Sequence, residues 1–299
     1  MLPNFVIIGA QKSASSFLQA CLAEHPDIYI PHEEIPFFES PDYEEHTIND
    51  LRRILEGRQE KCLGIKRPNY IGKSEVPSRL EYHLPNAKLI AVLRNPIERA
   101  ISAYFHQIRS GTIPPFKFES GIKKILQDKY FNNQYKRAHE IIEFGLYYKY
   151  LSQYSHFLKN NQLLIFLHED IKREPLKSVK KAYNFLDISA DYIPKSLASQ
   201  PQMVLYNLTR LRFLTLRNRF KYTYNKGLTR VYPKNSILGK IISKSITMVD
   251  ENILSIFFKK GRPQISIDIW QMLYEKYAED INNLEVLIGR DLSEWKTQA

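Results

Sequence analysis

The sequence predicts an α/β protein: an open, mainly five-stranded parallel sheet with helices on both faces, in a single domain over residues 1–299. Three observations predict it. Apolar runs at 5–9, 28–30, 62–66, 88–93 and 163–167 are separated by stretches with helical spacing, an alternation that builds parallel sheets. Two of these runs end in polar turns that open helices. The composition, 43% hydrophobic and 25% charged over 299 residues, is that of a globular chain long enough to bury a sizeable core.

The first strand, Phe5-Val6-Ile7-Ile8, enters the loop Gly9-Ala10-Gln11-Lys12-Ser13-Ala14-Ser15-Ser16. Gly9 lets the chain turn at the strand end. Ser15 or Ser16 suits a helix N-cap, and Phe17, Leu18, Cys21 and Leu22 then recur at helical spacing. Free N–H groups at that helix start would face an anion, with Lys12 adding a full charge. The loop is not a nucleotide-triphosphate P-loop, because counting from Gly9 lands on Ala14-Ser15-Ser16 rather than on Gly-Lys-Ser/Thr. On this segment alone, an ordinary strand-to-helix turn with a solvated lysine fits equally well.

A second strand, Lys88 to Leu93, ends in Arg94-Asn95-Pro96 and continues as Ile97-Glu98-Arg99-Ala100-Ile101-Ser102-Ala103-Tyr104. Pro96 suits the first turn of a helix. Arg94 falls at the carboxyl end of its strand, the edge where open α/β sheets bind ligands. Ser102 falls on the following helix, and an arginine with a hydroxyl suits a phosphate.

Together the two segments resemble the sulfotransferases that use 3′-phosphoadenosine 5′-phosphosulfate (PAPS). The resemblance implies a P-loop-like nucleotide-binding fold. It implies that Lys12, Ser13, Ala14, Ser15 and Ser16 hold the 5′-phosphosulfate, and that Arg94 and Ser102 hold the 3′-phosphate. The family's usual loop glycine is Ala14 here. Gly145-Leu146-Tyr147-Tyr148, the stretch Gln162 to Asp170 and the tail Gly289 to Trp295 extend the likeness to bacterial members, whereas about 200–262 has no counterpart.

The stretch Pro31-His32-Glu33-Glu34-Ile35-Pro36-Phe37-Phe38 resembles the loop that supplies the proton acceptor in glycan-sulfating members, Lys-Glu-Pro-His-Phe-Phe. Aligning the paired phenylalanines makes Glu34 the base and puts Pro36 where the family has histidine. His32 and His106 are reserve candidates, since small-molecule members use a histidine. Gly64-Ile65-Lys66-Arg67-Pro68-Asn69-Tyr70 is similar to the family's Glu-Lys-Thr/Ser-Pro-x-Tyr, which implies that Lys66 reaches the reaction centre, while Arg67 replaces the family's small hydroxyl residue. The implied activity is transfer of a sulfuryl group from PAPS to a hydroxyl of a carbohydrate or glycolipid. A lipid or polyketide-like alcohol is the second acceptor class. A nucleotide kinase and a non-catalytic nucleotide-binding module are the rivals. No side chains recur at metal-binding spacing, so no metal is expected.

The net charge is +11, and residues 209–245 hold ten Lys or Arg and no Asp or Glu: Arg210, Arg212, Arg217, Arg219, Lys221, Lys226, Arg230, Lys234, Lys240 and Lys244. Aromatic and apolar residues interleave with them. One expectation is a surface for an anionic glycan or an acidic membrane face. The other is a solvated, partly helical insertion or lid, spanning about 200–262, whose apolar residues pack inward. No nucleic-acid recognition motif accompanies the charge. The first strand starts within a few residues of Met1 and no apolar run approaches a membrane span. A cytoplasmic protein, at most peripheral to a membrane, is therefore expected. The two cysteines, Cys21 and Cys62, are expected in the core rather than in a disulfide framework.

Overall fold

A computed structural model describes residues 1–199, 204–225, 228–258 and 261–298. The chain forms two compact units, the first from Met1–Pro96, Leu146–Pro201 and Ala278–Thr297, the second from Ile97–Gly145, Gln202–Tyr277 and Gln298–Ala299.

The first unit carries an all-parallel sheet of five strands: β1 (Phe5–Gly9), β2 (Ile28–Tyr29), β3 (Cys62–Lys66), β4 (Lys88–Leu93) and β5 (Leu163–Leu167), in the order β2-β3-β1-β4-β5. The expected strands are all present, and the edge strand β2 stops one residue early. β1 and β3 are buried throughout, and β4 is buried after Lys88, which is why they read as apolar runs. Phe5, Ile7, Ile90, Val92 and Phe166 form one core with Leu18, Cys21 and Leu22 of the helix Ser15–Ala23 and Val179, Ala182 and Tyr183 of the helix Pro175–Phe185. Both cysteines are buried and free. Burial pushes the Cys21 thiol up to about 12 and raises Cys62 as well, so both behave as core side chains.

This strand order puts β1 between β3 and β4, so the carboxyl ends of three adjacent strands share one edge. It is the point where the winding direction reverses, the place where such sheets bind ligands.

The second unit is mainly helical, with Tyr104, Phe105, Ile108, Phe118, Ile122, Leu211, Leu214, Leu273 and Tyr277 buried. Its main helices are Pro96–Ser110 (which starts at the last residue of the first unit), Phe118–Gln127, Leu208–Lys221, Ile237–Val249 and the part of Ile267–Ile288 up to Tyr277, the rest of that helix belonging to the first unit. A short antiparallel hairpin, β6 (Tyr222–Tyr224) with β7 (Val231–Pro233), follows the Leu208–Lys221 helix.

The basic segment is not uniformly a surface. Arg210 is 2% exposed and grips Asp250 with two bonds of 2.8 Å, from Nε to Oδ1 and from Nη2 to Oδ2. Arg217 is buried too, and Asn218 Nδ2 donates to the Arg109 carbonyl at 2.9 Å. Two of the cations therefore serve the packing of this unit. Arg212, Arg219, Lys221, Lys240 and Lys244 are exposed, while Lys226 lies outside the described residues.

Candidate active site

Gly9 ends β1 at φ +153°, and a side chain there would come within 2.6 Å of Ile71 Cγ2 and 2.8 Å of the Pro68 carbonyl. Only glycine meets both demands. The loop that follows contains two left-handed residues, Lys12 at φ 68° and Ala14 at φ 74°. The N-cap of the Ser15–Ala23 helix is Ala14, which offers no side-chain bond, so neither Ser15 nor Ser16 caps it. Both serines lie inside the first turn, where their amides have no intrahelical acceptor.

Ala14 occupies a conformation that costs a Cβ-bearing residue about 1–2 kcal/mol. An Ala14→Gly change removes that strain while adding some disorder to the unfolded chain. We expect denaturant unfolding to report a net gain of about 0.5–1 kcal/mol. A loss would mean that the left-handed turn is not strained.

Two cationic side chains reach this loop or its helix within the first unit, and the loop carries a third cation, Lys12. Lys66, the last residue of β3, is 3% exposed, and its Nζ donates to Ser16 Oγ at 2.9 Å. Arg94, just past β4, donates from Nη1 to the Lys12 carbonyl at 3.3 Å. Lys12 itself is half-buried. Burial lowers the Lys66 pKa, and Glu34 opposes the shift. A lysine held where its charge is costly gains from an incoming anion. Ser13 Oγ is fully buried without a hydrogen-bond partner, an orphan of the sort that a bound anion satisfies.

Glu34 lies in the loop after β2, with its side chain 41% exposed. Its Oε2 accepts from Arg67 Nη1 at 2.9 Å, and its Oε1 is 4.0 Å from Lys66 Nζ. Arg67 also binds Glu39, which is 2% exposed. Burial works against the Arg67 charge, but Glu39 and Glu34 outweigh it and hold the guanidinium above its ordinary range. Arg67, without a role in the sequence pattern, is thus the clamp that fixes Glu34. Tyr70, from the same motif, donates to the Ile35 carbonyl at 2.6 Å and accepts from the Phe38 amide at 3.0 Å. Buried Phe37 and Phe38 anchor the loop's far end. His32 and Glu33 are exposed.

The turn after β4 has a further partner in Tyr147, whose hydroxyl donates to the Arg94 carbonyl at 2.9 Å. Tyr147 also lies 6.1 Å, centroid to centroid, from buried Trp295. Beside Arg94 sit His168 and Glu169, just after β5. Burial, then the charges of Arg94 and Lys172, push His168 down to about 4. Burial raises Glu169, which accepts from the Asn95 amide. His168 is therefore neutral at pH 7, leaving Arg94 the cation of this turn. The Gln162 to Asp170 likeness gave these two no role, because their environment is made by the neighbouring strand.

Ser102 and His106 belong to the second unit. Ser102 is 1% exposed and its hydroxyl has no hydrogen-bond partner. His106 is exposed. Arg99, on the same helix, is fully buried and donates to the Ile141 carbonyl.

A sulfotransferase domain model matches residues 2–226. The chain is 35% identical over 125 residues to the membrane-associated sulfotransferase kil1 of Dictyostelium discoideum, covering 39% of this chain and 26% of that protein. It is 28% identical over 198 residues to human bifunctional heparan sulfate N-deacetylase/N-sulfotransferase 2, covering 63% of this chain and 22% of that protein. It is 28% identical over 193 residues to mouse heparan sulfate glucosamine 3-O-sulfotransferase 3A1, covering 62% and 46%. The matched part is thus less than half the length of each of these relatives. Among solved structures, a sulfotransferase from Alicyclobacillus acidocaldarius superposes with a TM-score of 0.69 at 23% identity, covering 99% of this chain and all of that one. Mouse sulfotransferase SULT7A1, complexed with PAP, superposes with a TM-score of 0.50 at 16% identity over 98% of this chain and 88% of that one. With the strand order, the loop and the matched residues in agreement, the chain belongs to the sulfotransferase domain family.

Proposed function

We propose that this chain transfers the sulfuryl group of PAPS to a hydroxyl of a carbohydrate or glycolipid acceptor. The observation that carries the reading is the meeting of Lys66, Arg94 and the Lys12 loop at the ends of three adjacent strands, with Glu34 4.0 Å from Lys66. The glycan class is supported by the Glu34 loop and by the heparan sulfate relatives. We take residues 1–299 as one functional domain whose basic stretch is an insertion. That stretch offers exposed cations to an anionic glycan or membrane surface. A cytosolic site of action is consistent with the two unpaired thiols.

The residues fit the phosphosulfate. Lys12, Ser13 and the amides of Ala14, Ser15 and Ser16 would hold its 5′ end, and Arg94 would hold the 3′-phosphate. The motif assigns the 3′-phosphate to Ser102 as well. When bound, PAPS supplies an activated sulfuryl group on a phosphate leaving group. Glu34 takes the proton of the acceptor hydroxyl as it attacks. Lys66 and Lys12 offer positive charge to the sulfuryl oxygens and to the departing phosphate, preorganised by burial and by the bond to Ser16. Arg67 keeps Glu34 oriented without occupying its Oε1.

The test is transfer of label from radiolabelled PAPS to an acceptor panel of oligosaccharides, amino sugars, lipid alcohols and polyketide-like alcohols. Labelled oligosaccharide or glycolipid is expected. Label on a lipid or polyketide-like alcohol would overturn the acceptor class, and phosphoryl transfer from ATP instead would overturn the reaction.

A further inference from the structure

The helix Ile237–Val249 in the second unit is turned inside out. Its buried residues are the small Gly239 and Ser243. A side chain at Gly239 would come within 2.8 Å of the Phe220 carbonyl, so close approach of the neighbouring helix demands glycine there. Four of its large aliphatics are exposed, Ile237 at 78%, Leu238 at 66%, Ile241 at 57% and Met248 at 60%, while Ile242, Ile246 and Val249 are half-buried. Ile237, Ile241, Lys244 and Met248 recur at helical spacing on one face, and exposed Lys240 lies beside it. The apolar character continues past this helix through exposed Ile253, Ile256 and Phe257.

We propose that this face docks on the surface of an anionic lipid bilayer, with the aliphatic side chains in the acyl boundary and the lysines at the headgroups. A contiguous aliphatic stripe of this kind seeks an apolar partner. Along the helix itself the charge is of one sign: residues 209–245 contain no Asp or Glu, and Lys240 and Lys244 are exposed, as are Arg212, Arg219 and Lys221 before it, while the acidic Glu251 is exposed only past its end. Aliphatic bodies with snorkelling lysines match the chemistry of a negatively charged interface. A polyanionic glycan would use the cations and leave Ile241 and Met248 in water. A two-fold contact between copies would bring the same positive patch against itself. The buried Arg210–Asp250 pair ties the residue just past the helix to the helix Leu208–Lys221. The inference does not depend on the sulfotransferase reaction.

The test is flotation of the full chain with vesicles of phosphatidylcholine alone or with added phosphatidylglycerol, beside sedimentation to read self-association. Binding to the phosphatidylglycerol vesicles, weakened by raised salt, is expected, with little binding to phosphatidylcholine alone. Each basic contact is worth about fivefold in affinity, so Lys240→Glu with Lys244→Glu should reduce binding by at least about 25-fold. Ile237→Ser, Ile241→Ser and Met248→Ser together should reduce it by at least about tenfold. All five positions are exposed, so an unchanged melting temperature would confirm that these variants fold. Absence of vesicle binding, equal binding to both vesicles, or binding indifferent to either variant would overturn the proposal. So would a dimer dispersed by the aliphatic variant without vesicle binding, or heparin retention lost only in the lysine variant without vesicle binding.

Discussion

Glu34→Gln is expected to lower kcat by about 10²- to 10⁴-fold, the usual worth of a positioned general base, while affinity for 3′-phosphoadenosine 5′-phosphate should stay within about 0.5 kcal/mol of the parent. The substitution is nearly isosteric. The glutamine carbonyl can still accept from Arg67, which lies 2.9 Å from Glu34 Oε2, so the loop keeps its position. What disappears is the ability to take a proton. Steady-state kinetics with calorimetry separates the two effects, because loss of a group that acts only in the transition state lowers kcat and leaves ground-state binding alone. If the variant keeps most of its turnover, the base is another group, and His32 and His106 are the next substitutions to make.

Arg67→Met is expected to destabilise the fold by about 3–5 kcal/mol, the cost of stripping one partner from a buried ion pair. Glu39 is 2% exposed and loses the guanidinium that faces it. The same change releases Glu34, so kcat also falls in the fraction that folds. Adding Glu39→Gln to Arg67→Met should recover much of the stability, since the uncompensated charge is gone, but should not recover kcat. A double-mutant cycle by denaturant unfolding reads this directly. Independent, additive losses from the two substitutions would mean that the pair is not coupled.

The strands and the Lys12, Lys66 and Arg94 positions were legible because burial and topology leave plain marks in sequence. Central parallel strands must be apolar on both faces, and these cations sit where those runs stop. Less legible were features decided by distant partners. Ala14 becomes the N-cap because the loop turns left-handed at φ 74°, a choice made by tertiary packing that favoured neither nearby serine. Arg67 draws its role from Glu39 and Glu34, and His168 is neutral because the fold buries it and then brings Arg94 to its side. The basic segment was the least legible. Arg210 and Arg217 are internal, since a cation with a well-placed acceptor can be buried. Ile237, Ile241 and Met248 look like core residues by periodicity, yet the helix packs through Gly239 and Ser243 instead. Periodicity reports a face without saying which side of it meets water.

Calorimetric titration with 3′-phosphoadenosine 5′-phosphate, set against ATP with magnesium, tests the central claim most directly. The account predicts binding of the former in preference to the latter. Arg94→Ala should weaken it by about 1.5–3 kcal/mol, roughly 10- to 100-fold, through loss of a charged phosphate contact and of the bond to the Lys12 carbonyl. Preferential binding of ATP with magnesium, or binding of the desulfated nucleotide indifferent to Arg94→Ala, would contradict it.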